Sequence, residues 1–243
     1  AQPVRDTAWT KAGYFGLKLT QVSLSSWSAG GESALAFDSQ ITYSADFKRD
    51  RQLWQNRLEL GYGLTKNDGK SARKTNDKIY FASTYGYQIY KTLYWSALLN
   101  FNTQFAKGYD YNIEDSDFIS KFMAPGYLMI GTGVTWSPNK IFTATFTPAS
   151  WRGTIVADSR LSDEGAFGVD KGKHLLSEFG ANLKAEVNYE FLPNMKVYSR
   201  LELYSNYLKD PQNIDVRWEV QLNMAINKWF STTLSTNLLY DND

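Results

Sequence analysis

The sequence predicts an all-β fold: an antiparallel, up-and-down transmembrane β-barrel of about twelve strands, of which eleven are visible in the chain. Three observations predict this fold: long segments of alternating apolar and polar residues, connections that alternate between short and long, and aromatic residues at the ends of the apolar rows. We assign residues 1–243 to one outer-membrane barrel domain, with residues 1–10 as a periplasmic N-terminal segment.

The stretch Ile214–Asn227, IDVRWEVQLNMAIN, shows the alternation most clearly. Successive side chains of a strand leave opposite faces of the sheet, so Val216 and Trp218 share one face while Arg217 and Glu219 share the other. At about 14 residues, the segment is longer than the five or six residues of a usual strand. The eleven alternating segments have approximate cores at 13–24, 33–47, 52–64, 77–90, 92–106, 127–137, 141–148, 175–191, 195–207, 214–227 and 230–240.

The connections between these segments alternate between short and long, starting with a long one. The short ones are at 48–51, 91, 138–140, 192–194 and 228–229, and the long ones are at 25–32, 65–76, 107–126, 149–174 and 208–213. A barrel that crosses the outer membrane has tight periplasmic turns and long outer loops, and a chain that starts in the periplasm makes its first connection outside. A soluble sandwich with Greek-key crossovers has no reason to keep this alternation.

Aromatic residues often end the apolar rows of the predicted strands. Amphipathic rings favour the two boundaries between lipid and water, which gives transmembrane barrels their aromatic girdles. The alternative explanation is that aromatic residues simply suit strands. The row-end residues are Tyr43, Phe47, Trp54, Tyr62, Trp136, Tyr207, Trp229 and Tyr240.

Composition excludes several classes of site. The chain has no cysteine, which removes disulfides, thiolate metal sites and cysteine nucleophiles, and its one histidine, His174, excludes a multi-histidine metal centre. A net charge of +1 gives no argument for nucleic acid, and we predict no cofactor. No apolar run approaches the roughly 18 residues of a transmembrane helix. The mean hydropathy of −0.43 resembles that of a soluble protein, but barrel strands are half polar by construction.

The two ends of the chain carry further expectations. The start, AQPVRDTAW, has no apolar signal region, and Ala-Gln suits the first residues after signal cleavage. We therefore expect an exported chain in the outer membrane of a Gram-negative bacterium. Bacterial single-chain barrels normally have an even number of strands, whereas eleven is odd. We expect a twelfth strand to be absent from this chain or supplied by another molecule, unless the count is one short.

The polar faces of segments 175–191, 195–207 and 214–227 predict a ladder of charges across three neighbouring strands. In the register that we predict, each charged residue of the ladder lies opposite a residue of the other sign, which is the favourable cross-strand arrangement. The two rows are Lys184–Glu202–Arg217 and Glu186–Arg200–Glu219, with Glu190 opposite Lys196. Other ionisable residues predicted on this inner face are Lys18, Asp38, Asp46, Arg57, Glu59, Lys78 and Asp215.

This ladder has two interpretations. Charges inside a narrow barrel must be paired because an unpaired buried charge is costly, so the ladder is a structural lattice; alternatively, it is a selectivity filter. About twelve strands leave a lumen between the filled eight-stranded barrels and the open porins. Loop 149–174 is long enough to enter the lumen as a plug or constriction, and residues 116–123 are predicted as a turn of helix in a loop.

Several weaker signals have bland explanations. Gly61, Gly63, Gly131 and Gly133 lie at period two on the inner face, where we expect them to make room for facing side chains rather than to cradle phosphate. His174 near Ser177 suggests a hydrolase, but no G-x-S-x-G motif is present. The paired carboxylates at 163–164 and 241–243 are interpreted as exposed. The cations of loop 65–77 either contact lipopolysaccharide phosphates or belong to a solvated loop.

Short motifs spread over residues 9–241 resemble an uncharacterised family of Gram-negative outer-membrane β-barrel proteins, a domain-of-unknown-function group. The motifs are Trp27–Gly31, Arg73–Asp77, Gln104–Phe105, Gly108–Tyr109, Ala124–Tyr127, Gly165–Gly168, Asn213–Val216 and Tyr240–Asp241. The resemblance implies export and an outer-membrane location, but no activity. The motif residues that we assign to extracellular loops are Trp27, Gly30, Gly31, Arg73, Lys74, Asp77 and Gln104.

These observations predict a narrow channel or a structural component of the envelope, either alone or as a subunit of a larger outer-membrane complex. The expected partners are outer-membrane lipid, lipopolysaccharide and such a complex, with no nucleic acid. The alternative is a barrel enzyme that modifies lipid or lipopolysaccharide, which needs a polar constellation at the outer rim. Its candidate residues are Trp27, Asn76, Asp77, Gln104 and His174.

Overall fold

A computed structural model describes residues 8–24, 32–113, 117–225 and 230–240 of the chain. These residues form an all-β protein. The strands are β1 (Trp9–Val22), β2 (Ala34–Arg49), β3 (Gln52–Asn67), β4 (Arg73–Tyr90), β5 (Leu93–Thr103), β6 (Gly108–Tyr109), β7 (Phe118–Ser120), β8 (Gly126–Trp136), β9 (Phe142–Ile155), β10 (Leu175–Leu192), β11 (Met195–Asn206), β12 (Ile214–Ala225) and β13 (Ser231–Tyr240). One short helix, α1 (Ser159–Glu164), precedes a 3-10 turn at Ala166–Gly168.

Eleven of these strands form a single antiparallel sheet in which neighbours in space follow one another in sequence. The order is β1-β2-β3-β4-β5-β8-β9-β10-β11-β12-β13, and β6 and β7 form a separate two-stranded sheet. The predicted number of main strands and their up-and-down order are confirmed. Within the described part of the chain, β1 and β13 are the edges, and each is hydrogen-bonded to one neighbour.

The longer connections lie together at one end of the main sheet. Tight turns at 50–51, 91–92 and 193–194 lie at the other end, and Asp50, Lys91 and Asn194 adopt the positive φ angles that such turns require. The connection between β3 and β4 is shorter than expected, because both strands extend into the predicted loop 65–76. Arg73, Lys74 and Asp77 therefore belong to β4 rather than to a loop.

The strand β9 also extends beyond its predicted end. Residues 149–155, expected in a long loop, continue the strand to Ile155. The register of β9 against both β8 and β10 shifts by one residue around Pro148, which marks a β-bulge. Because of the extra residue, even-numbered side chains face outward before the bulge and odd-numbered ones face outward after it. The alternation of the sequence is broken there, so the prediction that residues 149–155 belong to a loop was wrong. Proline lacks the N–H that a regular ladder position needs, so it fits such a bulge.

The two faces of the main sheet differ in chemistry. Cross-strand pairs such as Leu183–Leu203 and Leu201–Trp218 lie on one face, and pairs such as Glu186–Arg200 lie on the other. The apolar face is open in the isolated chain: Trp218 is 47% exposed and Phe146 is 49% exposed. A soluble sandwich covers this face with a second sheet, but here the large apolar side chains are left uncovered.

The main sheet curves around its charged face. Arg152 on β9 reaches Asp215 on β12, with 3.0 Å between its Nη1 and Oδ2, although two strands lie between them. In a flat sheet β9 and β12 would lie three strand spacings apart, roughly 14 Å. The guanidinium of Arg152 also lies over the ring of Tyr204 on β11. The charged face is therefore the concave one.

The tightest apolar packing lies outside the strands of the main sheet. The long connections 117–125 and 156–174, which we call the cap, contribute the buried residues Ala124, Val156, Leu161 and Val169, with Phe118 and Leu176 packed against them. Residues 116–123 were predicted as a turn of helix; in the described portion, Phe118–Ser120 instead forms β7 and pairs with β6. The single α-helical turn lies in the other connection, at α1.

The two halves of the cap are joined by several polar contacts. Asp158 caps the N-terminus of α1 by accepting a hydrogen bond from the backbone N–H of Leu161 at 3.0 Å. Its carboxylate also pairs with Lys121, and Arg160 donates to the carbonyl oxygen of Phe118. Loop 149–174 was expected to be long enough to enter the lumen as a plug or constriction. Of these residues, 156–174 pack on the neighbouring connection at the end of the sheet.

No helix in the described ranges is long and apolar enough to cross a membrane.

Candidate functional site

The charged residues predicted on the last strands lie in the predicted register. Glu190 is opposite Lys196, Glu186 is opposite Arg200, and Arg200 is opposite Glu219. The two rows of the ladder therefore cross β10, β11 and β12 on the concave face, as drawn from the alternation of the sequence. This register follows from the tight turn at 193–194 and from the need to keep apolar rows on one face.

The row Glu186–Arg200–Glu219 forms ion pairs along its whole length. The Nε of Arg200 lies 3.1 Å from Oε1 of Glu186, and its Nη1 lies 3.9 Å from Oε2 of Glu219. Lys184 approaches the other oxygen of Glu186 at 3.2 Å, and the hydroxyl of Tyr198 donates to Oε1 at 3.0 Å. Glu186 is thus the acceptor of a compact network with two cations.

The row Lys184–Glu202–Arg217 does not form the corresponding ion pairs. The three residues are opposite one another, but Lys184 turns along its own strand to Glu186. Glu202 instead accepts a hydrogen bond from the side-chain amide of Asn182 at 2.9 Å. Among the described residues, Arg217 has no acidic group within 4 Å. The flexible side chain of Lys184 reaches the carboxylate two positions along its own strand. The residue directly opposite on the next strand is therefore not always the ion-pair partner.

A second cluster, which the sequence analysis missed, surrounds Arg152 on β9. Its Nη1 lies 3.0 Å from Oδ2 of Asp215 and 4.0 Å from Oε2 of Glu178. The guanidinium carbon lies 3.5 Å from the ring centroid of Tyr204, which is 2% exposed. This stacking is a cation–π contact. Residues 149–155 do alternate between apolar and polar side chains. The bulge at Pro148 shifts this alternation by one residue relative to residues 141–148, so the two parts do not appear as one strand.

A third polar cluster lies on the first strands. Glu59 on β3 pairs with both Arg57 and Lys78, and the amide of Asn76 donates to Oδ2 of Asp38 at 3.0 Å. Four of the inner-face residues predicted on these strands, Asp38, Arg57, Glu59 and Lys78, therefore have polar partners on neighbouring positions.

The inner-face glycines make room for facing groups, as predicted. A Cβ atom at Gly61 would lie 2.9 Å from the amide nitrogen of Asn76, and one at Gly63 would lie 2.6 Å from the carboxylate of Asp38. At Gly133 a Cβ would lie 2.0 Å from the backbone oxygen of Phe146, so no side chain fits there. These glycines therefore serve packing against the facing strand.

The motif residues at the rim hold loops in place. The carboxylate of Asp77, whose side chain is 3% exposed, accepts from Lys74 Nζ at 2.7 Å and from the backbone N–H groups of Phe105 and Ala106. Gln104 donates to the carbonyl of Ala106, and Arg73 stacks on Tyr111. The remaining motif residues Trp27, Gly30 and Gly31 lie outside the described residues.

The residues considered for hydrolysis are not brought together. Nδ1 of His174 contacts the carbonyl oxygen of Val156 at 2.7 Å, and the hydroxyl of Ser177 accepts from the indole of Trp151. Glu164, one of the paired carboxylates, pairs with Arg160 at 2.6 Å within α1. Within the described ranges, no group of three histidine or acidic side chains is arranged to hold a metal ion.

Two carboxylates in the connections have lowered pKa values. The hydrogen bond from Lys121, followed by that from the N–H of Leu161, holds the pKa of Asp158 below its ordinary value. Hydrogen bonds from Lys70 and Asn67 likewise lower the pKa of Glu32. Lys70, one of the cations considered for lipopolysaccharide, thus already has an acidic partner in the chain.

These features define an all-β protein built on one curved antiparallel sheet, with an exposed apolar face and a charge-paired concave face. Two family models match parts of the chain. One, described as a protein of unknown function (DUF3078), matches residues 19–109, and the other, described as a protein of unknown function, DUF481, matches residues 150–243. Both descriptions agree with a domain-of-unknown-function group. No curated protein matches the chain.

Proposed function

We propose that the curved sheet is the wall of an outer-membrane β-barrel that acts as a narrow channel. The observation that carries the proposal is the contrast between the faces: large apolar side chains are exposed on the convex face, while most charges of the concave face are paired with one another. Hydrocarbon is the solvent that suits such a convex face, and an enclosed aqueous lumen suits the concave one. Closure joins β1 to β13, either directly or through a further strand.

The paired charges of the concave face support a narrow lumen. Opposite charges on adjacent strands attract one another across a few ångströms, so their side chains project along the wall and leave little net field in the pore. The Arg200 row and the Arg152 cluster thus set a polar lining without a strong preference for one ionic sign. Arg217, with its charge less compensated, is the residue that tilts the lining toward anions.

The arrangement of connections supports an orientation in the outer membrane of a Gram-negative bacterium. The tight turns face the periplasm. The cap and the hydrogen bonds of Asp77 to Lys74, Phe105 and Ala106 lie at the outer end, where long loops are found. The lipid and lipopolysaccharide of the outer leaflet then surround the rim. Export of the chain with cleavage of a signal peptide would bring it to this location.

A structural role in the envelope differs from a channel in one respect: a structural protein does not let ions pass. A barrel sealed by its cap serves the envelope as a structural component or as a subunit of a larger outer-membrane complex. The enzyme reading is less favoured, because the Asp77 carboxylate already accepts three hydrogen bonds and His174 is engaged with Val156. The Asp77 carboxylate is therefore occupied, and the Ser177 hydroxyl that was considered with His174 accepts from the indole of Trp151 instead.

Planar-bilayer conductance tests the channel. The full chain and a variant in which residues 158–172 are replaced by a short glycine–serine linker are reconstituted side by side. The channel predicts discrete conductance steps, larger in the linker variant because the cap lies at the mouth, and a changed anion-to-cation permeability ratio in Arg217→Gln. Silence in both proteins, with correct insertion shown by protease protection, contradicts the channel and leaves the structural role.

A further inference from the structure

A cavity of about 360 Å³ lies at the end of the sheet that carries the long connections. It is formed where β4, β5 and β8 run side by side, and Asn76, Lys78, Asn102, Gln104 and Tyr127 contribute to its lining. Asn102 and Tyr127 are directly opposite each other on neighbouring strands. Its volume is within the range of about 300–1,000 Å³ that is usual for small-molecule sites.

The lining offers hydrogen-bonding groups that the protein itself does not use. Among the described residues, the amide of Asn102 and the hydroxyl of Tyr127 have no hydrogen-bond partner, and the Tyr127 side chain is accessible, with the residue 39% exposed. Asn76 and Gln104 each donate one hydrogen bond from their amide nitrogen, to Asp38 and Ala106, which leaves their amide oxygens available. Each amide group carries both donors and acceptors.

The charges around the cavity are already compensated. The ammonium of Lys78 pairs with Glu59, and the carboxylate of Asp77 pairs with Lys74 and with two backbone N–H groups. An ionic ligand would therefore compete with existing ion pairs. A neutral ligand with many hydroxyl groups meets free amides and a free phenol instead, without disturbing those pairs.

The space for one amide depends on a neighbouring glycine. A Cβ at Gly61 would approach the amide nitrogen of Asn76 at 2.9 Å and its oxygen at 3.2 Å. Alanine at this position therefore displaces the Asn76 amide while leaving the backbone of β3 in place. The cavity can thus be altered from outside its lining.

We propose that this cavity binds a neutral saccharide, with its hydroxyl groups hydrogen-bonded to Asn102, Asn76 and Gln104 and one sugar ring lying on Tyr127. The amide groups supply paired donors and acceptors, and the aromatic face covers the apolar side of a pyranose ring. This binding site goes beyond conduction, because it requires the geometry of β4, β5 and β8 and no open lumen.

Saturation-transfer NMR on the detergent-solubilised full chain, with maltose as the probe, tests the site. We expect saturable binding to the unchanged protein, weakened about tenfold in Asn102→Leu and in Tyr127→Ala, the scale of one or two lost hydrogen bonds or contacts. Tyr127→Phe keeps the ring and loses the hydroxyl, so a smaller loss is expected. Gly61→Ala weakens binding through the displaced Asn76 amide.

Asn188→Leu is the matched control, since Asn188 is an amide on the same face of β10 near the other end of the sheet, and its affinity for maltose should be unchanged. Far-UV circular dichroism establishes that each variant folds. The proposal is overturned by an absence of saturable maltose binding, by equal affinity in Asn102→Leu and Asn188→Leu, or by tighter binding of glucuronate or inorganic phosphate than of maltose. Conductance of the same samples is recorded separately, so the channel and the sugar site stand or fall independently.

Discussion

The two faces of the eleven-stranded sheet follow the same alternation but treat their side chains in opposite ways. On the convex face, Trp218 and Leu201 are paired across β11 and β12 and have no layer above them. On the concave face, Arg200 lies between Glu186 and Glu219 and contacts both. The apolar residues are thus left to a solvent that the chain does not supply, whereas the charges find partners within the chain.

Under the proposed barrel, this difference assigns the convex face to lipid. Pairing lowers the free-energy cost of placing charged side chains in a confined interior. No arrangement within one sheet lowers the cost of exposing a row of large apolar side chains to water. The proposed membrane location therefore rests on the convex face, and the proposed lumen rests on the paired charges of the concave face. The predictions below test the two faces against each other, from the largest expected effect to the smallest.

A charge placed on the convex face should be the most damaging change. Leu201→Arg puts a guanidinium at the middle of β11 on this face, where transfer into hydrocarbon costs about 2–4 kcal/mol. Reversible urea unfolding in liposomes measures the loss of unfolding free energy. Gln221→Arg, on the concave face of β12, is the matched control and should cost far less. Equal losses in the two variants would contradict the assignment of the faces.

The two rows of the ladder should respond differently to loss of their arginine. Arg200→Ala leaves Glu186 and Glu219 without a shared cation. Because the Arg200 side chain is 39% exposed, the expected loss is about 1–2 kcal/mol, well below that of a fully buried pair. Arg217→Ala removes no ion pair among the described residues and should change stability by less than about 0.5 kcal/mol. The same unfolding assay compares them, and a larger loss in Arg217→Ala would refute the account.

The smallest effect concerns the cap and its dependence on pH. The folded-state pKa of Asp158 is lowered, chiefly by Lys121, so the stabilisation is present above the ordinary value of 3.8 and is lost as the pH falls through the lowered value. The hydrogen-exchange protection factors of residues 158–165, which are corrected for the intrinsic pH dependence of amide exchange, should therefore fall in acid. Asp158→Asn keeps the helix cap but cannot ionise, and its exchange should no longer depend on this titration. Identical acid profiles in both proteins would exclude the Lys121–Asp158 pair as the cause.

Much of the fold could be predicted because alternation is a local signal. The strand count, the order of the main sheet and the register of β10 with β11 and β12 all follow from the period of two and from tight turns. The end of β9 could not be predicted, since the bulge at Pro148 reverses the parity and hides Arg152 in an apparent loop. β7 was also missed, because its pairing with β6 crosses a connection rather than a hairpin turn.

The candidate site was predicted as a register rather than as a set of contacts. Opposition across strands correctly brought Arg200 between two carboxylates. It did not determine that Lys184 would turn to Glu186 or that Glu202 would bind the amide of Asn182. Long side chains choose among several neighbours within reach, and that choice depends on three-dimensional surroundings that sequence spacing does not contain. The cavity beside Tyr127 likewise depends on how side chains of the consecutive strands β4, β5 and β8 are arranged in space.

The solvent on each face of β12 can be measured directly. The chain has no cysteine, so Val220→Cys and Gln221→Cys each introduce one thiol for a nitroxide label, on adjacent residues of opposite faces. In liposomes, electron paramagnetic resonance should show the Val220→Cys label relaxed mainly by lipid-soluble oxygen and the Gln221→Cys label mainly by a water-soluble nickel chelate. A Val220→Cys label relaxed mainly by the nickel chelate would contradict a lipid-facing convex surface, and with it the barrel and the channel.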